Sequence, residues 1–181
     1  MRALGIDPVH GTRRTFDGLL EAMSRPGTVQ TVPAPADHAV LSTLVDHEVT
    51  VSTDDEAVLD GLSGHGRLDL ADLERADIVH VREHGEVDVR ECKRGTLAEP
   101  SDGATVVYRV ETLTTDETEG TTVMLSGPGV DGTAALSMSL PESVLSELAE
   151  AQSEYPRGID AVFAADDRLA AIPRSVTMEV A

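Results

Sequence analysis

Apolar positions along the chain keep two rhythms, one near 3.6 residues and one of 2, which predicts helices interleaved with strands. Phe16, Leu19, Leu20 and Met23 stand at i, i+3, i+4 and i+7, one apolar face of a helix beginning near Thr12 or Thr15. Gly18 inside that helix costs about 1 kcal/mol against alanine, which points to close packing of another element there. Arg25-Pro26-Gly27 stops the helix, and residues 28–32 alternate as a strand. Asp37 is placed to cap a second helix carrying Val40, Leu41, Leu44 and Val45, and residues 48–52 alternate again. Thr53, with Glu56 three residues later, has the form of a capping box ahead of Val58, Leu59 and Leu62. Gly64-His65-Gly66 breaks that helix. Residues 69–75 read as helix and 77–81 as strand, and residues 87–94 carry neither period.

Residues 100–103 read as a loop, while 104–111 and 121–126 read as strands joined by an acidic loop over 114–120. Pro141 and Glu142 open a last helix whose Val144, Leu145 and Leu148 face inward. The apolar run 159–165, bounded by turn signals, predicts a strand buried on both faces. Asp166-Asp167 supplies a turn, and residues 169–172 return as a second strand. Strands alternating with helices over most of the length predict an α/β layered sandwich, one domain spanning residues 1–181.

Composition changes this picture in three ways. With no Trp, 2 Phe and 2 Tyr, the core has to be built from Val, Leu, Ile and Ala. Asp and Glu number 33 against 14 Lys and Arg, a net charge of -19, and Lys93 is the single lysine. The acidic residues are spread over nearly every segment, which excludes an interaction tail and fits the proteome of a salt-in halophile, of haloarchaeal type. No basic patch with interleaved aromatics offers itself to nucleic acid. A single cysteine, Cys92, forbids an intrachain disulfide and cannot by itself hold an iron–sulfur cluster. No apolar run approaches a membrane span and no signal peptide is read, so the expectation is a soluble, cytoplasmic chain.

Candidate chemistry is sparse. Arg157 and Arg174 flank the carboxy-terminal hairpin. Surface arginines commonly form salt bridges; the sharper alternative is a pair of planar forks aimed at an anionic ligand or a partner carboxylate. Asp160 is placed to orient Arg157 or to close the turn. Ser126, Gly127 and Gly129 follow a strand in a Gly-Pro-Gly turn that reads either as a type II turn or as an anion-cradling nest, although Pro128 removes one donor. Arg25 suits the carboxyl end of the first helix, which attracts cations. His80 and His84 lie four apart, a ligand spacing for a helix, but they fall on a strand with no third ligand in reach, and no metal is expected. His10, His38, His47 and His65 read as isolated surface residues. No P-loop, nucleophile elbow or zincin pattern is present.

Three segments carry a family resemblance. Residues 16–28, FDGLLEAMSRPGT, then residues 125–130, LSGPGV, and then YPRGID at 155–160 with AIPRS at 171–175 resemble, in order and spacing, the H subunit of the carbon–phosphorus lyase core complex. The resemblance implies a three-layer α/β sandwich with a mixed central sheet, similar to the pyridoxal-phosphate-dependent transferase superfamily fold but lacking the cofactor site. It implies homodimers within a larger assembly with the G, I and J subunits, and L. That assembly forms alpha-D-ribose 1-methylphosphonate 5-triphosphate from ATP and methylphosphonate before the C–P bond is cleaved. No catalytic residue is carried over with it. Independently, Lys93 is the one possible Schiff-base lysine and no motif surrounds it, so no pyridoxal phosphate is expected. Three functions follow as expectations: a non-catalytic or co-catalytic subunit, a stand-alone transferase holding a phosphorylated molecule with Arg25, Arg157 and Arg174, or a ligand-binding storage or sensing module.

The charge balance yields a prediction. At molar salt the Debye length falls to about 3 Å and self-repulsion is largely screened. The fold is expected to be lost on dialysis to low salt and to return at molar salt, followed by circular dichroism. An unchanged spectrum and melting temperature throughout would sink it.

Overall fold

In a computed structural model, residues 3–85, 87–116 and 120–181 are described. Four α-helices are seen among them: α1 (His10–Ser24), α2 (Ala36–Leu44), α3 (Glu56–Ser63) and α4 (Glu142–Gln152). The strands are β1 (Gln30–Thr31), β2 (Thr50–Ser52), β3 (Asp69–Leu70), β4 (Ile78–Val81), β5 (Thr105–Arg109), β6 (Leu113–Thr114), β7 (Thr121–Ser126), β8 (Ala134–Met138), β9 (Asp160–Ala165), β10 (Arg168–Ile172) and β11 (Thr177–Val180). Seven of them form a mixed sheet in the order β1-β10-β9-β5-β4-β2-β3, and four form a second sheet, β11-β7-β8-β6. From β9 through β3 the large sheet is parallel, while β10 and β1 are added antiparallel. The second sheet is antiparallel throughout.

The carboxy-terminal hairpin behaves as its sequence predicts. Ala161 through Ala165 are all buried, Asp166-Asp167 makes the turn, and β10 pairs back on β9. Side chains alternate between two cores. Phe163, Ala161 and Ala165 join Tyr108, Val106, α4 and the second sheet, with Tyr108 and Phe163 stacked 5.5 Å apart. Val162 and Ala164 join Val107, Ile78 and helices α1, α2 and α3 on the other face. The large sheet is thus the middle layer of a mixed α/β fold.

Several local expectations need correction. In α1 the buried line is Gly11, Thr15, Leu19 and Ala22, while Phe16 and Leu20 are 54% and 60% exposed. Small residues let this helix lie close to the sheet, so a Cβ on Gly18 would meet Val32 Cγ1 at 2.9 Å. The larger apolar side chains are left outward. Of the strand expected over 28–32, Gln30–Thr31 pair. The segment expected as helix over 69–75 is strand β3 followed by a turn. Residues 87–94 hold a short 3-10 turn, Val89–Glu91, and β6, β8 and β11 are strands that the sequence pattern does not predict. Residues 117–119 of the acidic loop lie outside the described residues. Cys92 is buried, and burial pushes its thiol up to about 12. Among the described residues no helix is long and apolar enough to cross a membrane.

Two Pro-Gly turns lock the layers together. Thr28 N–H bonds to Arg25 O across Pro26-Gly27, and Val130 N–H bonds to Gly127 O across Pro128-Gly129. Gly27 and Gly129 take φ +91° and +81°, the third-position conformation of a type II turn that favours glycine. The turns nest: a Cβ on Gly27 would meet Ala134 Cβ at 2.5 Å, and one on Gly129 would collide with Ser24 O. Gly132 has a similar φ of +72° but open space around it. Gly132→Ala should therefore cost about 1–2 kcal/mol of backbone strain. Gly129→Ala should cost a further ~1–3 kcal/mol for the clash. Denaturant unfolding of both variants measures this, and equal losses would refute a tightly packed joint.

Candidate functional site

The residues singled out in the sequence are placed mostly as scaffold. Arg25 pairs with Glu21 on the surface at 2.8 Å, one turn back along α1. Arg157 pairs with Glu154, also exposed. Gly127 and Gly129, after Ser126, form the plain turn described above, with Gly127 against the backbone of Ser175 and Val176. Arg174 is enclosed by its own chain. Its Nε donates to Asp160 Oδ1 at 3.1 Å and its terminal nitrogens to Asp160 Oδ2, Pro100 O and Gly103 O. Asp160 thus orients Arg174, not Arg157. With 12% of its side chain exposed, Arg174 has little fork left for a ligand or partner.

A different cluster gathers at the carboxyl ends of the parallel strands. Position 78, 80 and 82 side chains point to the same face of β4 and its extension, so Ile78 enters the helical core and His80 follows it. The hairpin turn sets the facing element: Asp167 O accepts from Val32 N–H and Asp166 O from Ala36 N–H, fixing the first turn of α2 above the strand ends. That turn carries Asp37, buried to 2% exposure, with its Oδ2 3.2 Å from His80 Nε2. The carboxylate can only accept, so His80 presents a protonated Nε2 to it, and the Thr53 hydroxyl lies 3.1 Å from Nδ1. Thr53 Oγ1 in turn accepts from Asp55 N–H. The Asp55 side chain caps α3 by accepting from Ala57 and Val58 N–H, and lies 3.3 Å from His38 Nε2, back on α2. Polar contacts therefore close a circuit from α2 through β4 and the start of α3 to α2 again.

Two arginines stand over this circuit. Val81 and Tyr108 are register partners, so Arg82 and Arg109, one residue further along β4 and β5, are neighbours. Arg82 Nε is 3.3 Å from Asp55 Oδ2 and Arg109 Nε is 4.0 Å from Asp37 Oδ2. Beyond them opens a depression of about 520 Å³ lined by Arg82, Glu83, His84, Arg109, Glu111 and Ser139. Burial disfavours the charge on Asp37, but the His80 hydrogen bond and the nearby histidine charges outweigh it and hold the carboxyl below its usual range. Burial likewise opposes ionised Asp55, and hydrogen bonds from His38, Val58 and Ala57 with the charge of Arg82 overcome it. Both carboxylates are thus anions beneath the two guanidinium groups. Carboxyl ends of parallel strands are where open α/β sheets bind ligands.

Comparison with known proteins places the chain. The family model described as "Bacterial phosphonate metabolism protein (PhnH)" matches residues 5–179. The chain belongs to the PhnH family. A curated relative from Rhizobium meliloti (strain 1021), the alpha-D-ribose 1-methylphosphonate 5-triphosphate synthase subunit PhnH, is 27% identical over 190 residues, covering 96% of this chain and 92% of that protein. The family resemblance carried by the three sequence segments is thereby upheld. In this PhnH chain the first two segments meet at the nested turns, and the end of the third reaches them at Ser175.

The carboxyl-end cluster went unread in the sequence. His80 lies on the strand expected over 77–81, where its face-mates are Ile78 and Arg82 and not His84. Asp37 does not cap α2: Pro35 holds that position, and Asp37 is buried in the first turn. Asp55, not Thr53, caps α3. His38 and His65 are partly buried rather than surface residues. Among the described residues no group of three or more His, Cys, Asp or Glu could hold a metal ion.

Leaving a buried hydrogen-bond donor without its acceptor costs about 1–3 kcal/mol, so Asp37→Ala, which orphans His80 Nε2–H, should destabilise by about that much at neutral pH. Glu21→Ala, at an exposed pair, should cost no more than about 1 kcal/mol. The folded pKa of Asp37 is depressed, so its contribution is present above the unfolded value of about 3.9 and is lost as pH falls through the folded value. The gap between wild type and Asp37→Ala should therefore close below about pH 4. Chemical denaturation across pH in molar salt measures it, and a gap independent of pH would count against an ionised Asp37.

Proposed function

We propose that this chain is a subunit of the carbon–phosphorus lyase core assembly that forms alpha-D-ribose 1-methylphosphonate 5-triphosphate from ATP and methylphosphonate before C–P cleavage. The observation that carries the reading is the family match across residues 5–179. The name of the Rhizobium meliloti relative supports the reaction. Its partners are the G, I and J subunits, and L, with a homodimer of this chain within the assembly. The exposed Phe16 and Leu20, one turn apart on α1, support a chain with apolar surface to cover.

The subunit is non-catalytic or co-catalytic, and its fold is similar to that of the pyridoxal-phosphate-dependent transferases without use of their cofactor. Lys93 carries the argument for the latter. Burial lowers its affinity for a proton, but hydrogen bonds to Asp77 and Asp102 more than offset that and hold it protonated above its usual range. A Schiff base needs the neutral amine, so Lys93 does not fit the role.

Co-expression with the partner subunits tests the assignment. Copurification is expected, with turnover of ATP and methylphosphonate by the assembly and none by the chain alone. Turnover by the isolated chain would replace this reading with a stand-alone transferase, and failure to copurify would remove it.

A further inference from the structure

Arginines at the two ends of the central strands are treated differently. At the amino ends Arg174 is turned inward: its guanidinium donates to Asp160, Pro100 O and Gly103 O. At the carboxyl ends Arg82 and Arg109 approach their carboxylates most closely through Nε, and neither guanidinium donates a hydrogen bond among the described residues. Their side chains are 41% and 47% exposed, while Asp55 and Asp37 beneath them are 5% and 3% exposed. Two like charges on adjacent strands would repel. The buried carboxylates offset that repulsion from below, and both half-exposed arginines line the depression beyond them.

We propose that Arg82 and Arg109 form a binding site for one tetrahedral phosphorus oxyanion, a phosphate or a phosphonate group, in the depression at the carboxyl ends of β4 and β5. Guanidinium forks suit such groups because their two parallel N–H vectors match two oxygens. Ser139 adds a third donor: its Oγ accepts from Glu111 N–H at 2.7 Å and Thr112 N–H at 3.0 Å, leaving the hydroxyl proton available. The volume of about 520 Å³ takes such a group with its substituent. Glu83 and Glu111 on the rim oppose an anion. Both are exposed, so molar salt screens them, while hydrogen bonds made at contact are screened far less.

The site deepens the function proposed above and rests on it for the choice of phosphorus anions. Its test uses the lone full-length chain in molar potassium chloride, titrated in a calorimeter with inorganic phosphate, methylphosphonate and ATP in separate arms. Binding in at least one arm is expected, and the tightest arm names the source of the group. Arg82→Ala and Arg109→Ala should each weaken that binding about tenfold or more, the scale of a lost charge-assisted hydrogen bond. Both variants should fold, since Asp55 keeps His38 and the α3 N–H groups, and Asp37 keeps His80. Glu111→Gln should tighten binding and Arg25→Ala should leave it unchanged. No binding in any arm, or binding that both arginine variants retain, overturns the site. A chain that copurifies with its partners but binds no anion loses this site alone, and one that binds but does not copurify loses the subunit reading alone.

Discussion

Burial of β9 on both faces is the constraint from which the rest of the arrangement follows. Phe163 and its two neighbours on one face close against α4 and the second sheet, and Val162 and Ala164 close against the helices on the other. A sheet covered on both sides leaves no face for a ligand, so polar chemistry is displaced to the strand ends. The two ends then diverge. Amino ends are stitched shut by Arg174 with Asp160 and by Lys93 with Asp77, ion pairs that hold the loops before β4, β5 and β9 in place. Carboxyl ends keep a buried polar circuit with two cations standing above it.

The three segments that carry the family resemblance converge on packing rather than on chemistry. Pro26-Gly27 and Pro128-Gly129 turn in the same way and press backbone against backbone, and the segment after β10 lies behind them at Ser175 and Val176. A joint in which a Cβ would meet a carbonyl tolerates glycine and little else. The restriction at these positions is steric, so a motif built from them identifies a fold without marking its working surface.

What was legible in the sequence follows the same division. The run 159–165 could be read because a strand buried on both faces needs no partner to make it apolar, and the stop at Arg25-Pro26-Gly27 is local backbone chemistry. The face of α1 could not. Gly11, Thr15 and Ala22 carry little hydrophobicity, and their burial is set by how near the sheet lies, while the larger Phe16 and Leu20 point outward. The circuit at the carboxyl ends was hidden for a related reason. Its members come from positions 37–38, 53–55 and 80–82, and only the sheet order and the anchoring of α2 on the Asp166-Asp167 turn bring them together. In a chain with 33 acidic residues, two carboxylates that end up buried look like all the others until the fold selects them.

That abundance of acid sharpens the contrast between the arginines. Arg25, Arg90 and Arg157 each find a carboxylate on the surface within a few residues, as almost any cation on so acidic a chain would. Such pairs are exposed and individually weak. Arg82 and Arg109 instead approach carboxylates from α2 and the start of α3, held beneath them by histidines, a threonine and helix N–H groups. Placing an ionised carboxylate in the interior carries a desolvation cost, and here each is offset by more than one partner. A salt bridge for its own sake needed none of this, because surface acid was available everywhere. Counterions buried below the guanidinium groups are approached through Nε, and both arginines line the depression beyond them. The buried Asp–His circuit is thereby the support, and the arginines above it are the part of the fold turned toward an anion.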